Sequence, residues 1–156
     1  MNHQSIMSTE FKYDASYLKS ISGILKISCL TCCFFGFICI LCSSVHLHNF
    51  RACFYNTVVL FAFVCTSSVL GARLFQLWQH KFYIFNAIKC EYYLHVFLAV
   101  ACFIAASTTI SLDVTAYTIA TFFALLAFSF YALDAYLGYR LSRQRDVQTQ
   151  TEPQTV

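Results

Sequence analysis

The stretch Val114–Tyr139 reads VTAYTIATFFALLAFSFYALDAYLGY and holds a single charged residue, Asp134. A helix that crosses the hydrocarbon core of a bilayer needs about 20 apolar residues in a row, whereas a surface helix of a soluble protein is apolar on one face only. This stretch is long enough to span a membrane and is apolar around its whole circumference. It predicts a transmembrane helix that carries an acid.

The rest of the chain contains three further stretches of the same kind: Ile21–Val45, Ala52–Trp78 and Tyr92–Leu112. Aromatic residues stand near several of their ends, as they do at the headgroup boundary of a bilayer. We therefore predict an all-α membrane protein, a four-helix antiparallel transmembrane bundle over residues 17–141. The leader 1–16 and the tail 142–156 lack apolar periodicity and are predicted to be mobile.

The composition excludes several other classes of protein. Hydrophobic residues make up 59 % of the 156 residues and charged residues 11 %, whereas about a quarter of a soluble protein is charged. A soluble globule and a disordered chain are both excluded. The net charge of +3 is small and scattered, so we expect no nucleic-acid partner.

Lysine and arginine residues predict the orientation, because they concentrate in cytoplasmic loops. Among the ten, Arg51 falls alone on one side of the four predicted spans. The other nine fall on the opposite side: Lys12, Lys19, Lys26, Arg73, Lys81, Lys89, Arg140, Arg143 and Arg145. Both termini are therefore predicted to be cytoplasmic.

Four polar residues are expected at one depth near the cytoplasmic ends of the spans: Lys26, Arg73, His95 and Asp134. An isolated carboxylate at that depth is costly, so Asp134 needs a basic partner. We predict Arg73 as that partner, because its guanidinium can bind a carboxylate through two hydrogen bonds. Lys26 could instead extend its ammonium group to the headgroups.

Two interpretations of this polar layer stay open. It can fix the register of the helices as a structural element, or Asp134 and His95 can relay protons or ions. A relay needs polar groups that continue to the opposite face of the membrane, and the outer halves of the spans carry only scattered Ser, Thr and Cys. We therefore favour the structural role.

The nine cysteines lie mostly within apolar runs, where Cys behaves as a small apolar residue. Cys90 is a candidate for palmitoylation at the cytoplasmic boundary, and Cys42 and Cys53 could form a disulfide. Cys39 and Cys42 have the spacing of a redox pair. The outer loop, however, lacks the second cysteine pair that membrane thiol oxidoreductases need. A zinc site is conceivable at Cys42, His46, His48 and Cys53, but this spacing arises easily by chance.

The sequence contains no motif for a catalytic nucleophile, a phosphate-binding loop or a pair of catalytic carboxylates. We expect neither an enzyme nor a cofactor or metal.

Stripes of small residues on the last two spans allow close helix packing, either within the bundle or against another membrane protein: Ala101, Ala105, Ala106, Ala120, Ala124 and Ala127.

Two segments carry a family resemblance. Residues 17–27, YLKSISGILKI, resemble the opening of the MARVEL domain, and residues 131–140, YALDAYLGYR, resemble its closing helix. The similarity is greatest to the chemokine-like factor (MARVEL transmembrane domain-containing) superfamily and covers about residues 13–142. The cysteine-rich first span departs from the family pattern, as does the absence of a Trp after the last basic residue.

The resemblance implies a role without chemistry, in which the protein organises membrane or escorts other membrane proteins during vesicle trafficking or membrane apposition. The expected location is the plasma membrane, endomembrane vesicles or both. The expected partners are membrane lipids and other integral membrane proteins that contact the helix faces, with self-association as a further expectation. The alternative is a small proton-coupled transporter or channel that uses Asp134 and His95.

Overall fold

The computed structural model describes residues 15–43, 49–75, 87–110 and 115–151. A 3₁₀ turn is followed by four α-helices: Ala15–Lys19, then α1 Ile21–Leu41, α2 Phe50–Leu74, α3 Ala87–Thr109 and α4 Thr115–Thr151. All four α-helices are long and apolar enough to cross a membrane. The prediction of an all-α protein with four membrane-spanning helices is therefore confirmed within the described part of the chain.

Local hydrogen bonds set the helix ends. The Ser20 side chain caps α1 by accepting from the Gly23 backbone N–H at 3.1 Å, and Asn49 caps α2 by accepting from the Arg51 N–H at 3.0 Å. The first span ends at Leu41, earlier than predicted, because the chain there tightens into a turn in which the Ser43 N–H donates to the Ile40 carbonyl. The predicted ends Val45, Trp78 and Leu112 lie outside the described residues.

Two segments are more helical than predicted. Helix α3 begins at Ala87 instead of Tyr92, and α4 continues through Thr151 instead of ending at Tyr139. The predicted mobile tail is therefore helical over residues 142–151. The segment Ser142–Thr151 contains neither Gly nor Pro, and Pro153 is the first residue that opposes helix continuation.

The four helices pack around a square. Each helix lies against its two neighbours, in the order α1, α2, α3, α4 and back to α1. Of the six small residues predicted for close packing, Ala101 is half-buried and the other five are buried: Ala105, Ala106, Ala120, Ala124 and Ala127. Backbones can approach closely there, because alanine adds so little bulk between them.

Large apolar side chains cover the outside of the bundle. Each helix exposes about half or more of at least one phenylalanine side chain: Phe34 on α1, Phe61 on α2, Phe97 on α3 and Phe122 on α4. In water such a surface would aggregate, whereas lipid acyl chains solvate it well. The exposed surface therefore agrees with a bundle that is embedded in a bilayer.

Candidate functional site

A buried charge network joins α1 to α3 and α4 at the end of the bundle where α1 begins. Lys26 Nζ lies 2.7 Å from Asp134 Oδ2 and 2.7 Å from Glu91 Oε1. It also donates a hydrogen bond to Ser22 Oγ at 2.7 Å. An ammonium group has three N–H donors, and here each has an acceptor. Lys26 thus contacts two carboxylates at once.

The second carboxylate oxygen of Glu91, Oε2, binds Arg73 on α2. Arg73 donates to Glu91 Oε2 through Nε at 3.0 Å and also through Nη2. Two cations, Lys26 and Arg73, therefore balance two anions, Glu91 and Asp134. We use the name charge network for these four side chains together with His95. Its two carboxylates are 11 % and 4 % exposed, and pairing offsets the cost of burying them.

His95 completes the charge network from α3. Its Nδ1 lies 3.2 Å from Asp134 Oδ2, so the ring forms an ion pair with the carboxylate when it is protonated. Nε2 has no hydrogen-bond partner among the described residues. The imidazole ring stacks on Tyr131 with the ring centroids 5.9 Å apart. Within the described part of the chain, the polar contacts of Asp134 on the side of α3 therefore stop at His95.

Two carboxylates and an imidazole, from Glu91, Asp134 and His95, lie close enough together to hold a metal ion. The Lys26 ammonium, however, lies between the two carboxylates and occupies the position that a cation would take. A metal ion there would have to displace it. These residues form a site whose cation is supplied by the chain itself.

A cavity of about 400 Å³ reaches the charge network from the same end of the bundle. Its lining includes the polar side chains of Arg73, Glu91, His95 and Asp134 and the apolar side chains of Leu137 and Leu141. Tyr17 from the 3₁₀ turn also lines the cavity, and its ring centroid lies 6.0 Å from Lys26 Nζ. The network is therefore accessible from one end, beside the turn that precedes α1.

The structure corrects the predicted partner of Asp134. Arg73 binds Glu91, and Lys26 binds Asp134 directly instead of extending to the headgroups. The square arrangement explains this difference. Helix α1 is a neighbour of α4, whereas α2 lies diagonally across from α4. The four residues of the predicted layer, Lys26, Arg73, His95 and Asp134, nevertheless lie in one cluster.

Glu91 is the central residue that the sequence analysis missed. It immediately precedes the predicted start of the third span, at Tyr92, so the hydropathy pattern places it outside that span. Its spacing from His95, at i and i+4, places both side chains on one face of α3 and was the available signal. Ser22 is a second residue that the prediction leaves out, although it lies inside the predicted first span, one turn before Lys26, and donates to Asp134 Oδ1 at 2.6 Å.

Two tyrosines tie the diagonal helices together farther along the bundle. Tyr131 on α4 lies 2.6 Å from the Thr66 hydroxyl on α2. Tyr55 on α2 donates to the Ala120 carbonyl on α4 at 2.7 Å. Gly36 makes room for the Tyr55 hydroxyl, because a Cβ at this position would lie 2.5 Å from its oxygen. The long tyrosine side chains bridge a distance that the backbones do not close.

The three cysteines singled out for a disulfide or for palmitoylation are all exposed in the structure. Cys42 and Cys53 are exposed thiols in the structure, without a disulfide between them, in contrast to the pairing considered above. Cys90 is exposed near the start of α3, and its palmitoylation stays a prediction. Of the zinc set considered above, His46 and His48 lie outside the described residues.

Comparisons with protein-family models, with curated proteins and with solved structures find no match to this chain. The resemblance to the MARVEL domain therefore stays a prediction from the two quoted segments.

Proposed function

We propose that this chain is a non-enzymatic four-span membrane protein that organises membrane or escorts partner membrane proteins through lateral contacts of its helices. In this proposal both termini are cytoplasmic, and the protein resides in the plasma membrane, in endomembrane vesicles or in both. The MARVEL-like segments and the distribution of lysine and arginine support it. Vesicle trafficking and membrane apposition are the processes in which we expect the protein to act.

The observation that carries the proposal is the charge balance inside the bundle. Lys26 and Arg73 pair with Glu91 and Asp134, and all three acceptors around the Lys26 ammonium are within 2.7 Å. Charges that are paired with each other in this way fix helix positions and are not available to bind a charged substrate. The remaining surface at membrane depth is apolar helix, which suits contact with lipids and with other helices.

Photo-crosslinking tests the lateral contacts. A photoreactive phenylalanine analogue replaces one exposed phenylalanine at a time, on each helix in turn: Phe34, Phe61, Phe97 and Phe122. We expect one or two of the four positions to crosslink to discrete integral membrane proteins in cells, and the others to yield lipid adducts only. The four positions serve as controls for one another. Lipid adducts alone at every position would contradict the proposal.

A second function has one structural observation in its favour. The cavity beside the charge network reaches His95 and Asp134, and His95 Nε2 lacks a partner among the described residues. A proton-coupled transporter or channel would use such a group. It requires flux across the bilayer, which lateral partner binding does not, so a flux measurement separates the two functions.

A further inference from the structure

A second cavity, of about 520 Å³, lies between the first turns of α3 and the segment of α4 that faces them. Six residues line it, and we call it the tyrosine groove: Lys89, Tyr92, Tyr93, Tyr139, Ser142 and Arg143. It lies beside the charge network, but Lys89 and Arg143 belong only to the groove. Two of its six lining residues, Lys89 and Arg143, are basic, and none of the six is acidic.

On both helices a basic residue lies about one helical turn from a tyrosine. Lys89 precedes Tyr92 and Tyr93 by three and four positions, and Arg143 follows Tyr139 by four. Because α3 and α4 run antiparallel, both cations lie nearer the end of the bundle. The tyrosines lie about one turn, or about 5 Å, deeper towards the membrane interior. The groove thus changes from charged to aromatic with depth.

This order matches the order of groups in a phospholipid. Phosphate lies at the outer level of the headgroup region, whereas the glycerol and ester groups lie deeper, where tyrosine rings are enriched. Tyr93 is 67 % exposed and Tyr139 is 48 % exposed. The rings of Tyr92 and Tyr139 lie 6.0 Å apart across the groove. Such exposed phenol groups are costly in hydrocarbon and favourable at the interface.

Charge selects among headgroups. A phosphodiester brings one negative charge, whereas a phosphomonoester carries about 1.5 to 2 at neutral pH. The two basic residues of the groove, Lys89 and Arg143, match the charge of a phosphomonoester in number. Hydroxyl groups of Tyr and Ser142 can donate further hydrogen bonds to phosphate oxygens. The positive end of the α3 dipole lies at the same end of the bundle.

We propose that the tyrosine groove binds the headgroup of a membrane phospholipid that carries a phosphomonoester. Lys89 and Arg143 contact the phosphate, and the tyrosines lie along the glycerol region. Phosphatidic acid and phosphoinositides share this chemistry, and so does soluble phosphate. The site needs only that this end of the bundle lies at a membrane surface. It therefore stands or falls separately from lateral partner binding.

Lipid binding to the purified full-length chain tests the site. Native mass spectrometry counts adducts while detergent-solubilised protein is titrated with phosphatidic acid, phosphatidylinositol 4-phosphate or phosphatidylserine, each at equal total charge. We expect a phosphomonoester lipid to bind more tightly than phosphatidylserine. The order of phosphatidic acid and phosphatidylinositol 4-phosphate identifies the natural source. An affinity for phosphatidylserine equal to that for the phosphomonoester lipids would overturn the proposal. This comparison uses the wild-type protein alone.

Matched variants locate the site. Lys89→Gln with Arg143→Gln is expected to weaken binding of the preferred lipid about 30-fold, because each cation near a membrane surface contributes about a fivefold effect. Lys19→Gln with Arg140→Gln removes the same charge outside the groove and is expected to leave affinity nearly unchanged. Equal losses in both variants would overturn the proposal. So would competition by inorganic phosphate at concentrations similar to those of the lipid, since this would indicate a site for soluble anions.

Discussion

Lys26 and Asp134 form a buried ion pair between α1 and α4, with Nζ 2.7 Å from Oδ2 and side chains that are 1 % and 4 % exposed. Removing two charges from water is expensive, and a buried pair persists only where further hydrogen bonds satisfy both groups. Ser22 supplies such bonds to both Lys26 and Asp134. The pair therefore fixes α1 against α4 through contacts that depend on direction, as apolar packing does not.

Loss of the Lys26 charge is expected to be costly. Lys26→Met leaves Asp134 buried without its cation, and we expect the free energy of unfolding in detergent to fall by about 3 kcal/mol. Adding Asp134→Leu should recover most of this loss, because the Arg73–Glu91 pair that remains is neutral. Adding Arg73→Met instead should increase it. Reversible unfolding of the single and double variants measures these energies.

Lys19 provides the control for that cycle. It is an exposed lysine in the turn before α1, and Lys19→Met should change stability by less than about 0.5 kcal/mol. A small effect of Lys26→Met, similar to that of Lys19→Met, would show that Lys26 extends to the headgroups and does not neutralise Asp134.

Glu91 is expected to matter more than Arg73. Glu91 is 11 % exposed and holds two cations, whereas Arg73 is 29 % exposed and can be hydrated when its partner is lost. Glu91→Gln should therefore lower the midpoint of thermal unfolding more than Arg73→Gln does. The same assay on solubilised protein measures both variants. An equal or larger shift for Arg73→Gln would contradict the central position of Glu91.

The hydrophobic pattern was sufficient to predict the four helices, because a bilayer demands length and apolarity that few other folds need. The same pattern grouped Lys26, His95 and Asp134 at one depth. It could not assign partners, because a salt bridge depends on which helices are neighbours around the square. The position of a residue along its helix can be predicted from the sequence. The order of the helices around the bundle cannot, because it depends on how the helices pack.

Two further differences have local causes. Glu91 was missed because a hydropathy boundary placed it outside the span, although its partners allow it to lie inside. The tail was predicted as mobile because it is polar, yet residues 142–151 continue α4. Polarity argues against membrane insertion but not against helix formation, since Arg and Gln are good helix formers.

Gly36 and Gly71 are expected to respond oppositely to alanine. A Cβ at Gly36 would lie 2.5 Å from the Tyr55 hydroxyl, whereas nothing lies within 4 Å of a Cβ at Gly71. Gly36→Ala should destabilise the bundle by about 1–3 kcal/mol. Gly71→Ala should be neutral or stabilising by up to about 1 kcal/mol. Thermal unfolding of the two variants in one detergent provides the comparison.

A second substitution checks the cause of the Gly36 effect. Tyr55→Phe removes the hydroxyl that the new methyl group would meet, together with its hydrogen bond to Ala120. The double variant should therefore lose less than the sum of the two single variants. Strict additivity would place the damage of Gly36→Ala elsewhere.

Cysteine labelling can test the proposed orientation. Cys42 is exposed at the end of α1, and Cys90 is exposed near the start of α3, at the opposite end of the bundle. In variants that retain one cysteine, a membrane-impermeant maleimide applied to intact cells should label Cys42. Cys90 should react only after permeabilisation, following hydroxylamine treatment if it is palmitoylated. Labelling of Cys90 on intact cells would reverse the proposed topology.

Proton flux through the purified protein in liposomes separates a structural charge network from a relay. With a pH gradient across the bilayer and a pH-sensitive dye inside, the structural role predicts that proteoliposomes acidify no faster than protein-free liposomes. Folded Asp134→Asn protein should behave in the same way. Acidification that depends on the wild-type protein and disappears in folded Asp134→Asn protein would contradict the structural role and establish Asp134 as part of a proton path.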